Sequence, residues 1–206
     1  MAGRQARFGP AKTQSGNGCP GGILHVNVPE GIMQPYMKKW ILVFVALLIC
    51  ALIYNVWPEK RLPEGVVIDK LVVHKSKHTL EGFANGKRIK TYTVSIGPHP
   101  KGDKQEEGDG RTPEGAYIID AKNPHSGYHK NLGISYPNAA DRAEAKRKGV
   151  KPGGDVKIHG LRNGTGIIGK FHRLADWTLG CIALTDAEVD ELYSHVPIGT
   201  PILILP

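Results

Sequence analysis

Between Trp40 and Trp57 the chain reads WILVFVALLICALIYNVW, eighteen residues without a charge and with Asn55 as the one strongly polar side chain. No other stretch constrains the fold as hard. Such a run can cross the hydrocarbon core of a bilayer, which takes about 20 residues with a range of ~17–25. Lys38 and Lys39 precede it, and Trp40, Tyr54 and Trp57 stand at its ends, where interfacial aromatics belong. Three readings compete. A buried core helix would show an amphipathic stripe, and this run has none. A cleaved signal peptide would be followed by a small-x-small site, and none follows; Cys50, in Leu-Leu-Ile-Cys, also lacks the small residues that a lipoprotein signal places before its cysteine. The expectation is therefore an uncleaved transmembrane signal-anchor over 40–57 with the N-terminus in the cytoplasm, although Lys60 and Arg61 on the far side work against that orientation.

Residues 1–39 read as a disordered cytoplasmic tail, rich in Gly and polar residues and without periodicity. Met37-Lys38-Lys39-Trp40 resembles the natural start of a signal-anchor, so residues 1–36 are a candidate for sequence lying ahead of the translated chain. Residues 58–65 read as a linker. From Val66 to Pro206 the texture changes to β. Glycine (26) and proline (15) make about a fifth of the 206 residues, which favours many turns over a helix bundle. Val66–His74 is rich in β-branched residues. Lys77–Phe83 and Lys87–Ile96 flank Asn85-Gly86, the strongest short-range hairpin signal. Gly115–Asp120, Gly133–Tyr136, Val156–His159 and Pro201–Leu205 read as further short strands. Asn138–Lys148 reads as a polar helix capped by Asn138 and stopped by Gly149. Thr185 to Glu188 is a capping box that opens a helix with Val189, Leu192, Tyr193 and Val196 on one apolar face.

Charge narrows the partners. The net charge is +8, and half of it lies in residues 1–39, where five cations face Glu30 alone. The remaining body is mildly basic, which suits an anionic polymer or a membrane surface. No zinc-finger spacing, aromatic RNA-binding pattern or basic recognition helix is present, so nucleic acid is not expected as a partner. No metal-ligand spacing stands out among the nine histidines, and there is no C-x-x-C pair for thiol redox chemistry.

Of three cysteines, Cys181 alone lies beyond the apolar run. In an oxidising compartment a structural cysteine would be paired. A lone one is either a small buried hydrophobe or a reactive thiol, and composition leaves both open. Its surroundings favour reaction. Gly180 before it lets backbone N–H groups turn toward one point, as an oxyanion hole requires. A thiol nucleophile also needs a base, and the chain offers His159, at the end of a short strand, and His172.

Ile158-His159-Gly160 followed by Thr178-Leu179-Gly180-Cys181 resembles the signature of the L,D-transpeptidase (YkuD-type) catalytic domain family. Gly108-Asp109-Gly110-Arg111-Thr112-Pro113-Glu114-Gly115 and Ile134–Asn138 resemble two further blocks of that family, so the resemblance covers about Val66–Pro206. It is closest in motif to the subset related to the YafK-type murein enzymes. The resemblance implies a mainly β, sandwich-like domain with two or three short helices behind one N-terminal transmembrane helix. It implies Cys181 as nucleophile, His159 as base, and the carbonyl of Gly160 as the group that orients the imidazole. The N–H groups of Leu179, Gly180 and Cys181 would form the oxyanion hole, with Thr178 as local support. Three departures stand out. Leu179 replaces the family's usual histidine, Ala183 replaces a frequent Arg or Asn, and the interval from His159 to Cys181 is longer than the commonest one.

Other candidates are weaker. His172 could stand in for the missing histidine or simply face solvent. Arg162, Lys170 and Arg173 could meet a substrate carboxylate or face water. Tyr128, His129 and Tyr136 could line a donor groove or belong to the core. The resemblance implies acyl transfer between peptidoglycan stem peptides through a thioester, without a cofactor, in a domain on the periplasmic side of the inner membrane, or exported if the leader is cleaved. It further implies covalent inhibition by carbapenems. The alternatives are a murein hydrolase or amidase on the same scaffold and a non-catalytic wall-binding module.

Overall fold

The structure is a computed structural model and describes residues 30–206, with side chains from Pro35 onward. It divides into two units, Met1–Val45 and Ala46–Pro206, each considered by itself. The tail expected over 1–39 lies outside the described residues as far as residue 29. From Glu30 the chain is helical instead, because α1 (Glu30–Val56) extends well ahead of the apolar run. Residues Pro35–Val56 are long and apolar enough to cross a membrane.

Beyond the helix lie β1 (Lys70–His74), β2 (Thr79–Ala84), β3 (Lys87–Thr93), β4 (Gly115–Ser126), β5 (His129–Ile134), α2 (Ala139–Lys148), β6 (Lys157–His159), β7 (Ile182–Ala183), α3 (Asp186–His195) and β8 (Pro201–Leu205), with 3₁₀ turns at Lys75–Lys77 and Gly166–Leu174. The strands form one eight-stranded sheet in the order β3-β2-β1-β8-β4-β5-β6-β7. Pairs β1–β8 and β6–β7 are parallel and the others antiparallel. Ser95, just past the edge strand β3, exchanges both backbone hydrogen bonds with Ala183 on the opposite edge, at 3.1 and 2.8 Å. That bridge brings the two edges together, so the sheet is curled around its core and the expected sandwich-like β domain is present. Curling also leaves fewer open edge groups for stray pairing.

Inward alternation builds the core. Ile202 and Ile204 of β8 are buried while Leu203 and Leu205 are half-buried, the period of two expected of a strand covered mainly on one side. Leu71, Val73, Leu80, Tyr92, Ile119, Leu132, Ile158 and Ile182 complete this layer. On α3, Val189, Leu192 and Val196 are buried against it, as their spacing predicts, and Tyr193 packs at the margin. Its capping box forms with Thr185 and Glu188, and the cap of α2 with Asn138 and Asp141. The hairpin at Asn85-Gly86 is present, both residues at positive φ.

Strand limits differ from expectation for identifiable reasons. Val66–Ile68 do not join the ladder of β1, because Ile68 N–H donates to the carbonyl of His195 at 2.9 Å; Asp69 N–H already donates to the Phe83 carbonyl of β2 at 2.9 Å. The expected strand at 133–136 is shifted back to His129–Ile134, where β5 lies between β4 and β6. Residues 58–65 are not a free tether. Leu62 N–H donates to Glu191 Oε1 at 2.6 Å, and the same carboxylate accepts from Tyr92 OH at 2.7 Å.

Candidate active site

Parallel pairing of β6 and β7 sets the geometry. Ile158 is opposite Ile182 and His159 opposite Ala183. Ile158 and Ile182 both point into the core, fully buried. Side chains alternate along a strand and share faces across a pair, so His159 projects to the other face together with Cys181, which stands just ahead of β7 and two positions from Ala183, the register partner of His159. They line one cavity of about 350 Å³ together with Tyr128, Asn131, Asp155 and Trp177.

The imidazole of His159 is held from both sides. Its Nδ1 lies 2.7 Å from the carbonyl oxygen of Gly160. A carbonyl only accepts, so Nδ1 carries the proton and Nε2 is the basic nitrogen. Tyr128 and Trp177 pack on the ring, with centroids 4.8 and 5.8 Å away. Gly160 is required for close approach, since a Cβ there would sit 2.7 Å from Asp186 Oδ1. Burial lowers the His159 pKa from its ordinary value, the Gly160 carbonyl opposes that, and the charge of Lys157 adds to the lowering. Burial likewise raises the Cys181 thiol; the backbone N–H of Lys157 and the ammonium groups of Lys157 and Lys104 pull it partway back, while Asp155 pushes it up. Both shifts favour a neutral thiol beside a neutral imidazole over a resting thiolate–imidazolium pair. The thiol lies 3.7 Å from the carbonyl of Asp155.

The turn before Cys181 is locked locally. Thr178 Oγ1 donates to the carbonyl of Cys181 at 2.7 Å and accepts from Gly180 N–H at 3.2 Å. Gly180 has φ +121°, and a Cβ on it would lie 2.5 Å from the carbonyl oxygen of Arg111. The loop containing Arg111 is thus the floor beneath the turn. Leu179 is 85% exposed.

His172 is buried, not solvent-facing. Its ring stands edge-on to Trp177 at 6.4 Å, its Nδ1 is 3.2 Å from Ser95 Oγ, and its Nε2 has no partner. Burial, helped by Arg173 and His159, holds its pKa down to about 4. Arg173 and Tyr136 do not line the cavity. The guanidinium of Arg173 is taken by Glu188 at 2.7 Å, because Glu188 lies on the first turn of α3 and packs over it. Tyr136 is a core residue whose OH donates to the carbonyl of Pro152 at 2.9 Å, its ring packed against Tyr117. His129 pairs with Asp190 at 2.9 Å. Ala183, where a polar side chain could have stood, is fully buried in its bridge to Ser95.

Sequence reasoning passed over Trp177, Lys157, Asn131, Asp155 and Lys104. Lys157 had a signal: it stands two residues before His159 and so shares its face. Lys104 had none, since its ammonium is brought within 4.0 Å of the Gly180 position only by the fold of the 97–114 loop. No group of three or more His, Cys, Asp or Glu side chains that could hold a metal occurs among the described residues.

A family model described as the L,D-transpeptidase catalytic domain matches residues 68–204. YafK of Escherichia coli strain K12 is 31% identical over 111 residues, covering 53% of this chain and 35% of that protein. The chain thus spans about a third of the length of the curated relatives it matches. The crystal structure of the helical cell shape determining protein Pgp2 from Campylobacter jejuni superposes with a TM-score of 0.51 at 24% identity, over 68% of this chain and 48% of that one. That likeness speaks for the fold.

Proposed function

The chain belongs to the L,D-transpeptidase catalytic domain family, and from that premise we propose that it is a cysteine acyltransferase acting on peptidoglycan stem peptides. One observation carries the reading: His159, with Nδ1 committed to the Gly160 carbonyl and Nε2 left basic, shares a cavity with Cys181, the residue that leads into the neighbouring parallel strand.

Nε2 takes the thiol proton as Sγ attacks the carbonyl of the stem peptide's third residue. The negative oxygen that develops meets the N–H groups of the turn. The Gly180 amide is engaged by Thr178 Oγ1 at rest, so Leu179 and Cys181 are the donors free to act first. Collapse breaks the peptide bond, and the terminal D-Ala leaves as an amine carrying the proton from Nε2. The thioester then yields to an amine of a neighbouring stem peptide, His159 removing the amine proton and returning one to sulfur. The chemistry is ping-pong and uses no cofactor. Thr178 is a positioning residue for the turn. His172 buttresses Trp177 and through it His159; with its pKa near 4 it stays neutral at working pH. Water in place of the amine would make the same site a hydrolase.

Helix α1 acts as a single-pass inner-membrane anchor with the domain on the periplasmic side. The intact mass of membrane-extracted protein tests this: a species beginning after about residue 55 would show a cleaved leader. For the chemistry, the protein is incubated with a carbapenem and with a disaccharide tetrapeptide, and products are read by mass spectrometry. A carbapenem mass on wild type but not on Cys181→Ala, and a cross-linked dimer from the tetrapeptide, are expected. Equal labelling of Cys181→Ala would sink the nucleophile assignment; tripeptide without dimer would replace transfer by hydrolysis.

A further inference from the structure

The long interval between His159 and Cys181 is occupied by the 3₁₀ segment Gly166–Leu174, and that segment is strapped to the end of the apolar helix. Asn55, the one strongly polar side chain of the run, places both ends of its amide on it. Nδ2 donates to the carbonyl of Ile167 at 3.1 Å, and Oδ1 accepts from Lys170 N–H at 2.8 Å. The sequence makes room for this contact. Gly169 has φ +50°, and a Cβ there would lie 2.6 Å from Asn55 Oδ1. Lys170 adds a second tie. Its ammonium donates to the carbonyl of Trp57 at 2.8 Å, pairs with Glu59 at 2.8 Å and lies 5.2 Å above the ring of Tyr54. A polar side chain in a membrane span is costly unless its hydrogen bonds are met. Here they are met by this segment.

Two side chains on the same strap are left uncovered by the described residues. Ile167 is 88% exposed and Ile168 is 44% exposed. Ile167 is the residue whose own carbonyl Asn55 holds, so it cannot stand far from the end of the span. Tyr54 and Trp57 mark that level as the interface, where their amphipathic rings belong. With a helix rise of about 1.5 Å per residue, Asn55 lies less than one turn from Trp57. An apolar pair at that depth meets the boundary between headgroups and acyl chains.

We propose that Gly166–Leu174 is a second membrane contact of this protein, with Ile167 and Ile168 entering the bilayer's headgroup–acyl boundary beside the end of α1. The proposal rests on the reading of α1 as an uncleaved span. The same segment carries His172, which packs on Trp177, which packs on His159. The contact therefore sets the orientation of the site toward the membrane as well as its distance from it.

Depth-dependent quenching in proteoliposomes of the full chain tests this. Four single-cysteine proteins are made with Cys19 and Cys181 replaced by Ala. One keeps Cys50; the others carry Cys50→Ala with Ile167→Cys, Ile168→Cys or Lys87→Cys. Each is labelled with an environment-sensitive fluorophore, in vesicles whose lipids bear a nitroxide either near the headgroup or deep in the acyl chain. Strong quenching of Cys50 by the deep nitroxide is expected. At positions 167 and 168 the shallow nitroxide should quench severalfold more than at Lys87, the first residue of β3. Quenching at 167 and 168 equal to that at Lys87, with Cys50 quenched, would overturn the contact and leave the span standing. An unquenched Cys50 would overturn the span and the inference with it. Adding Gly169→Ala should weaken quenching at 167 while leaving Cys50 unchanged, and no change at 167 would remove Asn55 as the strap.

Discussion

Residues 97–114 and 160–175 both reach the turn that carries Cys181, and they are held in different ways. The first loop is held mostly from within. The carboxylate of Asp109 accepts from Lys104 Nζ at 2.7 Å, from Gln105 N–H at 2.7 Å and from Arg111 N–H at 3.0 Å. The fully buried Lys75 ties it to the end of β1 through the carbonyls of Gly102 and Thr112, and Glu107 N–H donates to the Lys151 carbonyl at 2.8 Å. The second is held from outside. Asn55 and Trp57 grip its 3₁₀ segment, Ser95 holds His172, and Glu188 holds Arg173. A loop whose bonds span a few residues can be recognised from its turn residues. A loop whose partners lie a hundred residues away cannot.

The largest effect is expected where the two loops serve the same pair. His159→Ala should slow carbapenem acylation by about 10²–10⁴-fold, the scale of general base catalysis. Burial lowers the His159 pKa, so the acid limb of the rate profile of wild type should fall below the ordinary histidine value of about 6.5. Stopped-flow acylation across pH measures both, and a limb at or above that value would contradict the buried neutral base.

Gly180→Ala breaks the floor that the first loop supplies. The new Cβ meets the Arg111 carbonyl at a φ that disfavours side chains, so about 1–3 kcal/mol of strain is expected. The displaced nucleophile should acylate about 10²-fold more slowly. Wild-type rates in a folded Gly180→Ala protein would mean the turn is not held by Arg111.

A smaller effect tests the loop's own framework. Burial alone would push the Asp109 carboxyl up, but hydrogen bonds from Lys104, Gln105, Arg111 and Glu106 hold it at about 2, below its ordinary 3.8. A depressed folded value stabilises the protein above the unfolded value and loses that contribution as pH falls from about 4 toward 2. Asp109→Asn should therefore cost about 1–3 kcal/mol near neutral pH, with the wild-type and variant denaturation curves converging in acid. A gap independent of pH would assign the loss to packing.

The smallest effect is expected in the externally held loop. His172→Ala should slow acylation by less than about tenfold. Because His172 titrates near 4, its removal should leave the acid limb above pH 5 in place. A larger loss than that of His159→Ala would move the proton chemistry to His172.

How far the chain could be read follows the same division. The apolar run, the Asn85-Gly86 hairpin, the Asn138 cap, the Thr185–Glu188 capping box and the strand Pro201–Leu205 are written in neighbouring residues, and each is found in the structure. The contact of His159 with the Gly160 carbonyl came from the family resemblance, and it needs only two residues adjacent in sequence. Arg173 and Tyr136 were candidates on residue type alone, and type does not say which neighbour claims a side chain; Glu188 and Pro152 do.

By itself the sequence determined the local decisions: where helices start, where strands alternate, which glycines permit a turn, and which cysteine has no partner beyond the span. These depend on backbone sterics and on hydrogen bonds a few residues long. Tertiary structure alone decided that Ile158 and Ile182 stand in register, so that His159 and Cys181 share a face. It also decided that Lys104 lies beside Gly180 and that Asn55 holds the segment carrying His172. Each of those arrangements closes a long loop of chain, an entropic cost met only when the whole core is buried at once.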